Sequence, residues 1–235
     1  MKLLKTLLIS TLIVTAAQAQ EVKNFVLSDS KASGITFKIK YSLGVHDGVT
    51  SGMKALVTLS NKNSILKGEF SVPIDQVSTG NLTRDCHMRE ALGIDYKDSK
   101  FPTDHVCDSD NKLPVSGPDS VAFPEIRFSF TNIKKATAEL PAVLEVGRVY
   151  DVAIQGQWTL HGQTVDLAAD TSADSIPVKI KLLDEATQEI QVTGNFQISL
   201  KAFNIQVKPF KIAIVKIGVD DIAKVILNTK FILKK

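Results

Sequence analysis

Cysteine, tryptophan and long apolar runs are scarce in this chain of 235 residues. It contains two cysteines, one tryptophan and three tyrosines, and aromatic residues make up 6% of the whole. Beyond the N-terminal segment, no apolar run approaches the roughly 20 residues that a membrane-spanning helix needs. Charge of one sign is not in excess either, because 28 basic residues face 25 acidic ones. This balance gives no electrostatic reason to expect binding to nucleic acid or to an anionic membrane surface.

The sequence also lacks the signatures of common catalytic sites. It has no Gly-x-Ser-x-Gly motif, no His-Glu-x-x-His motif and no glycine-rich phosphate loop. Asp85 and His87 could together form half of an acid–base pair, which would support a catalytic role. A structural ion pair between Arg84 and Asp85 is the more common arrangement beside a helix start. We therefore expect a protein that is not an enzyme, with no cofactor and no metal.

The first 19 residues have the composition of a secretory signal peptide. Two lysines supply the positive region, residues 7–17 are apolar, and Ala17-Gln18-Ala19 fits a small-x-small cleavage site. The apolar part is too short to cross a bilayer comfortably. We expect residues 1–19 to be removed and residues 20–235 to form a single domain in the periplasm, with secretion as the alternative.

The two cysteines, Cys86 and Cys107, lie in a chain that we expect to be exported. A disulfide between them is the simplest interpretation in an oxidising compartment. Closing a loop of this length contributes on the order of 3 kcal/mol in the chain-entropy model. The alternatives are two free thiols or a metal site that also includes His87 and His105. Adjacent Cys-His is poor spacing for such a site, because neighbours on a helix point about 100° apart.

One stretch, residues 77–93, predicts a helix in a chain that otherwise has the pattern of strands. Thr79 and Asn81 are short polar residues that can cap the first turn of a helix. Apolar residues then recur at intervals of four, which places them on shared helix faces. Gly93 is the expected left-handed stop.

Alternating apolar and polar residues predict strands over most of the mature chain. We expect a turn at His46-Asp47-Gly48, and residues 95–122 have little periodicity and many turn formers. The predicted strands are Ile35 to Tyr41, Met53 to Ser60, Leu66 to Ile74, Glu125 to Ile133, Arg148 to Leu160, Gln163 to Ala169, Ile176 to Leu183, Ile190 to Leu200 and Ala223 to Leu233.

About eight strands without sustained helix predict an all-β fold, either a closed antiparallel barrel or a sandwich. An outer-membrane barrel is disfavoured because it needs aromatic girdles and an apolar outer band, whereas lysines are frequent on the outer faces here. Gly68, Gly156 and Gly194 lie on the apolar faces of long strands, where glycine marks a bend or a close approach. We expect these glycines to leave volume inside a strongly coiled barrel.

Several segments, in this order along the chain, resemble the YceI family of exported lipocalin-like barrels that bind polyisoprenoids. The most specific are Thr79-Gly80-Asn81 with Arg84-Asp85 and His87, followed by Trp158-Thr159-Leu160-His161-Gly162. The other matching segments are SGITFKIKY, LKGEFSVPIDQVSTGNLTRDCHMREAL, FPEIRFSFTNI, YDVAIQGQWTLHGQTVDL, VTGNFQISLKAFNI and VILNTKFIL. Residues 94–122 form a long loop that looks inserted relative to the family pattern.

The resemblance implies an antiparallel lipocalin-like β-barrel of about eight strands with one short helix and a long inserted loop. It also implies an apolar tunnel for an isoprenoid tail, with Arg84, Asp85 and His87 as candidates for the head end. The candidates for the tail are Phe37, Ile39, Phe70, Phe128, Phe130, Ile154, Trp158 and Phe196. Taken singly, each aromatic residue fits an ordinary packed core. Together they fit the wall of an apolar cavity. The resemblance then implies a carrier of an isoprenoid or similar long-chain lipid, with transient membrane contact and no nucleic-acid partner. The alternative is a lipid-modifying or metal-dependent enzyme that uses Asp85 and His87.

Overall fold

In the residues that the structure describes, the chain forms sixteen strands, one α-helix and two short 3₁₀ helices. This computed structural model describes residues 22–29, 34–60, 66–96, 107, 118–136, 144–166, 176–206, 210–212 and 215–234. The strands are β1 (Val22–Leu27), β2 (Gly34–Tyr41), β3 (Gly44–Thr50), β4 (Lys54–Ser60), β5 (Leu66–Pro73), β6 (Val77–Ser78), β7 (Ile94–Tyr96), β8 (Pro118–Val121), β9 (Glu125–Ala136), β10 (Val149–Leu160), β11 (Gln163–Asp166), β12 (Ile176–Asp184), β13 (Glu189–Ser199), β14 (Phe210–Ile212), β15 (Val215–Ile217) and β16 (Val219–Leu233). The helices are α1 (Leu82–Ala91) and the 3₁₀ turns Ile74–Gln76 and Lys201–Phe203. Within these ranges, no helix has both the length and the apolar character required to cross a bilayer.

Eight strands close into an antiparallel barrel in the order β1, β4, β5, β9, β10, β12, β13 and β16. The ring is closed by β16, which pairs back with β1 and places Phe231 opposite Leu27. The long β16 also pairs with β2, and β3 and β6 extend the sheet from there. Closure gives each strand of the ring a partner on both sides, which removes exposed sheet edges. The predicted all-β, lipocalin-like fold is confirmed.

At two places in the barrel wall, one strand ends about halfway along the barrel and a different strand continues its line. The two ends of the barrel are therefore built from different strands. β1 and β2 both pair with β16, with Leu27 opposite Phe231 and Ile35 opposite Leu227. β4 and β3 follow one another in the same way beside β1 and β2. We call the end formed by β1 and β4 the closed end. The end where β2, β3, β6 and α1 lie is the helix end.

The barrel wall follows the alternation of strands that have one buried face. On β10, Val152, Ile154 and Trp158 are buried, whereas Asp151 and Gln157 are exposed. Buried apolar side chains from all eight barrel strands form one core. Full burial of a large apolar side chain contributes about 1.5–3 kcal/mol, so this core is the main source of stability.

All nine predicted strands are confirmed, since their patterns correspond to β2, β4, β5, β9, β10, β11, β12, β13 and β16. The strands that were not predicted are β1, β3, β6, β7, β8, β14 and β15. Six of these seven have six residues or fewer, and none of the six shows apolar–polar alternation over four or more residues. β3, with seven residues, was missed for a different reason.

The turn predicted at His46-Asp47-Gly48 is wrong, because all three residues lie inside β3. The chain reverses earlier, between Tyr41 and Gly44, which face each other at the end of the β2–β3 pair. Gly48 lies opposite Phe37, and a Cβ atom at this glycine would overlap the phenyl ring. Glycine therefore marks a close approach here and not a turn.

At two of the three strand glycines, the volume expected inside the barrel is filled. A Cβ atom at Gly68 would overlap the ring of Phe130. A Cβ atom at Gly156 would overlap the carbonyl oxygen of Ser129 and the ring of Phe128. The missing side chains let these rings lie against the sheet, which is why glycine is used at both positions. The expectation of free space at Gly68 and Gly156 is wrong.

The helix begins and ends where the sequence predicts. Asn81 caps its first turn, since Oδ1 accepts a hydrogen bond of 2.9 Å from the backbone N–H of Arg84. Gly93 follows the last turn with a φ of +104°, a left-handed conformation that glycine adopts without strain.

Both ends of the predicted inserted loop, residues 94–122, are strands. β7 pairs with β8 in an antiparallel ribbon, so the loop starts and finishes at the same place beside α1. Its middle is attached to the helix by a disulfide between Cys86 and Cys107, with a Cα–Cα distance of 5.7 Å. The predicted disulfide is confirmed. The predicted signal peptide lies outside the described residues.

Removing the disulfide should lower the stability of the folded barrel. The bond joins residues 21 positions apart, and opening a loop of this size costs roughly 3 kcal/mol. We expect a Cys86→Ser/Cys107→Ser protein to lose that much free energy of unfolding in urea titrations. Wild-type protein unfolded in the presence of a reducing agent is the control and should match the double variant. An unchanged free energy of unfolding in both would contradict this role of the bond.

Candidate functional site

Six aromatic side chains form a continuous group inside the barrel, which we call the aromatic cluster: Phe70, Phe128, Phe130, Trp158, Phe196 and Phe231. Phe128 lies at its centre, with ring centroids 5.9 Å from Phe70, 5.8 Å from Phe130 and 5.2 Å from Trp158. Phe231 meets Phe70 edge to face at 6.0 Å, and Phe196 lies 5.6 Å from Trp158. Such ring pairs contribute about 0.5–1.5 kcal/mol each beyond their buried area.

The strand register explains how so many rings fit. Phe128 on β9 is opposite Phe70 on one side and Trp158 on the other, which makes one row of large residues. The neighbouring row has Phe130 between Gly68 and Gly156. A row of three rings beside a row with one ring and two glycines keeps the total volume within what the barrel holds.

A small apolar cavity lies beside the aromatic cluster. Its volume is about 20 Å³, and it is lined by eleven apolar side chains from β4, β5, β9, β10, β12, β13 and β16. Ile154, a predicted tail residue, is one of them together with Phe70, Phe128 and Phe130. A cavity of this size holds about one water molecule. An isoprene unit therefore needs the surrounding rings to move.

The inner wall is less covered at the helix end. Cross-strand rows there join Phe196 to Phe37 through Val225, and Ile198 to Ile39 through Ala223. Phe37, Ile39, Phe196 and Ile198 are only half-buried, although they pack against the core, and we call these four residues the entrance strip. Three of the four were predicted as tail residues, and the register adds Ile198.

A polar rim follows the entrance strip toward the helix. His46 lies opposite Ile39, and its ring stacks on Tyr41 with centroids 4.1 Å apart and planes 6° apart. Burial lowers the pKa of His46 below its ordinary value of 6.5, and the Arg84 guanidinium lowers it further, while Asp47 opposes the shift. Arg84, the predicted head-end cation, is therefore close enough to His46 to affect its charge. The sequence does not point to His46, because His46-Asp47-Gly48 has the composition of a turn.

Asp85 lies on the other side of the helix start, where its carboxylate holds the link between β6 and α1. It is 2% exposed. Oδ2 accepts a hydrogen bond from Ser78 Oγ, and Oδ1 accepts from the backbone N–H and Oγ1 of Thr79, all at 2.6 Å. The expected ion pair with Arg84 is not formed among the described residues. Both carboxylate oxygens are engaged inside the protein.

His87 is not brought together with Asp85, because residues two apart on a helix point about 200° away from each other. Its Nδ1 lies 3.8 Å from Oε2 of the fully buried Glu90. Potential ligand atoms of His87, Glu90 and Cys107 fall within 4.8 Å of one another. However, the disulfide occupies the sulfur atoms of Cys86 and Cys107, so neither is a thiolate ligand. His105, the fourth residue of the metal alternative, lies outside the described residues.

The Trp-Thr-Leu-His-Gly segment, residues 158–162, contacts Phe123 and Phe203 at the helix end. His161 Nδ1 is 3.1 Å from the carbonyl oxygen of Phe203, and its ring meets Phe123 edge to face at 4.8 Å. Phe123 in turn fits between Gly93 and Gly162, where any Cβ atom would overlap it. Apart from Trp158, this segment therefore has a structural role.

The fold and the site define a lipocalin-like β-barrel with an apolar interior. The chain is similar to a solved polyisoprenoid binding domain from Saccharophagus degradans implicated in plant cell wall breakdown, with a TM-score of 0.57 and 12% identity over 89% of this chain and 98% of that one. It is similar to BcnA from Burkholderia cenocepacia, with a TM-score of 0.51 and 13% identity over 86% and 96% of the two chains. A YceI protein from Campylobacter jejuni aligns with a TM-score of 0.49 and 14% identity over 80% and 85%.

No protein-family model matches the sequence, and no curated protein matches it. At these low identities the first two of these solved structures show that the fold is shared. The fold expected from the YceI resemblance is confirmed.

Replacing Asp85 by Asn should destabilise the fold by more than the same substitution at an exposed aspartate does. An amide nitrogen cannot accept the hydrogen bonds from Ser78 or Thr79, and hydrogen bonds to charged groups contribute about 1.5–3 kcal/mol each. We expect Asp85→Asn to lose about 2–3 kcal/mol of unfolding free energy in urea. The control is Asp75→Asn, at an exposed carboxylate, which should change little. Equal effects of the two substitutions would contradict the buried network.

His46 should titrate below its ordinary pKa because of its burial and of Arg84. The folded protein then binds this proton less readily than the unfolded chain does. Stability therefore falls as the pH drops below 6.5, until folded His46 is also protonated. In NMR titrations we expect Arg84→Gln to raise the His46 pKa and Lys40→Gln, on the outer face of β2, to leave it unchanged. An unchanged His46 pKa in the Arg84→Gln protein would contradict the placement of Arg84 at this rim.

Proposed function

We propose that the protein is an exported, periplasmic carrier that holds an isoprenoid or a similar long-chain lipid in its barrel. The observation that carries this proposal is the change along the inner wall. The wall is mostly apolar, it is packed by the aromatic cluster toward the closed end, and it is half-buried at the entrance strip. A concave apolar surface that stays partly exposed is the common feature of lipid and cofactor sites.

An isoprenoid tail gains its binding free energy by covering this surface. Removing apolar area from water contributes about 25 cal/mol per Å², reduced by the cost of ordering the ligand. The described cavity is too small for a tail, so the rings of the aromatic cluster move when the tail enters. Trp158 and Phe196 are the first to be displaced, because Phe196 belongs to both the entrance strip and the aromatic cluster.

The head group in this arrangement lies at the rim formed by Tyr41, His46 and Arg84. The rim follows directly after the entrance strip, since His46 is opposite Ile39. Arg84 gives it a positive charge that suits a polar or anionic head. Asp85 does not contribute to this site in the proposal, because Ser78 and Thr79 already occupy its oxygens.

Two further observations support a carrier and not an enzyme. Asp85 and His87, the pair of the enzyme alternative, point in different directions from α1. The similar solved domain from S. degradans is described as polyisoprenoid binding. Export is supported by the composition of residues 1–19 and by the disulfide, which is typical of oxidising compartments.

The test is a charge placed on the entrance strip. Ile39→Lys puts an ammonium group in the proposed path of the tail, at a half-buried position that tolerates a long side chain. We expect the variant to fold and to carry at least about tenfold less lipid, since burying an unpaired charge against a hydrocarbon costs several kcal/mol. The measurement is native mass spectrometry of protein purified from its own host, which also reports cleavage after Ala19.

The matched control is Val49→Lys on the outer face of β3, where the side chain is 53% exposed. It should fold and retain the wild-type amount of lipid. A folded Ile39→Lys protein with a full complement of lipid, or a wild-type protein that neither carries nor binds a long-chain lipid, would overturn the proposal.

A further inference from the structure

Trp158 is buried inside the barrel with its indole N–H unsatisfied. The residue is 4% exposed, and Nε1 has no hydrogen-bond partner among the residues that the structure describes. Its nearest rings are those of Phe128 and Phe196, which offer no acceptor oxygen. Buried N–H donors in folded proteins are nearly always paired, because an unpaired donor forfeits the hydrogen bonds that it makes to water.

Packing alone does not explain a tryptophan at this position. The cross-strand row consists of Phe70, Phe128 and Trp158, and the first two of these residues pack there with phenyl rings that carry no polar atom. Trp158 differs from them in carrying a polar atom into an apolar region. It also occupies the place where the aromatic cluster meets the entrance strip, 5.6 Å from Phe196.

We propose that Trp158 Nε1 donates a hydrogen bond to an oxygen atom of the bound lipid. The inference rests on the proposed function and narrows its ligand class. With the tail in the aromatic cluster and the head at the rim, the atoms beside Trp158 belong to the link between the two. This link carries an acceptor oxygen, as in a ketone, an ester or an ether, and the ligand is not a plain hydrocarbon at this level.

A second unsatisfied group inside the barrel provides a control. Thr229 is 1% exposed, and its Oγ1 also lacks a hydrogen-bond partner among the described residues. It lies on β16 opposite Val192, toward the closed end and away from the entrance strip. Thr229→Val therefore removes an orphaned polar atom that the proposal does not use.

The experiment uses two linear isoprenoids of equal length. One ends in a methyl ketone, and in the other a methylene group replaces the ketone oxygen, so that the two differ in one acceptor atom. Trp158 is the only tryptophan in the chain, and its emission reports its own hydrogen bonding. On lipid-free wild-type protein we expect the ketone to bind roughly fivefold more tightly and to shift the emission to the red, and the hydrocarbon to bind without that shift.

Trp158→Phe keeps an aromatic ring and removes the donor. In this variant the preference for the ketone should disappear, whereas Thr229→Val should keep it. Equal affinities of the two probes for wild-type protein would overturn the inference and leave the carrier intact. An emission already red-shifted without ligand and unchanged by the ketone would also overturn it, since it shows that water satisfies Nε1. Failure of both probes to bind wild-type protein would overturn the carrier and this inference together.

If Trp158→Phe does not fold, the two wild-type measurements still decide the question. They compare ligands and not protein variants.

Discussion

The close approach of phenyl rings to glycines is the constraint on which the barrel interior depends. Phe130 lies over Gly68, and Phe128 lies over Gly156, with no room for a Cβ atom at either glycine. A methyl group at Gly156 would also meet the backbone oxygen of Ser129, which has no side-chain freedom to yield. The rings, the row of small residues and the curvature of the sheet are therefore one arrangement. Adding volume at these glycines is expected to disrupt the whole group, because packed interiors tolerate extra atoms poorly.

The same arrangement explains why the two ends of the barrel differ. Toward the closed end, the ring closed by β16 pairing with β1 encloses the fully buried Phe231 and the rings next to it in the aromatic cluster. At the helix end, β16 pairs with β2 instead, and the sheet continues to β3 and β6, with α1 following β6 along the chain. Phe37 and Phe196 are thus part of a wall that nothing fully covers among the described residues. In the proposed function, the ligand path runs from this open wall toward rings that are packed but make no hydrogen bond to the residues that the structure describes.

The sequence predicts the wall well and the site only in part. Long period-two patterns such as that of β10 define both the strand and its buried face, so the aromatic residues could be assigned to the interior. His46 could not be assigned, because His-Asp-Gly has the composition of a turn, and only the opposing ring of Phe37 explains Gly48. The hydrogen-bond partners of Asp85 could not be predicted either. Aspartate is common in the first turn of a helix, but this preference does not reveal that its carboxylate accepts hydrogen bonds from Ser78 and Thr79. Local pattern determines a strand, whereas cross-strand register determines which residues meet.

The helix end is held by three separate attachments, and these bear on the proposed binding of a ligand. Asp85 fixes the entry to α1, the disulfide of Cys86 fixes its middle, and Phe123 fits between the glycines that follow α1 and β10. None of these contacts involves a residue of the entrance strip, so the frame of the opening is ordered independently of its apolar lining. A frame ordered before binding reduces the conformational entropy that a ligand must offset. In the proposed function, the remaining cost is the rearrangement of the aromatic cluster, so that the tail enters by moving rings while the strands and the helix stay in place.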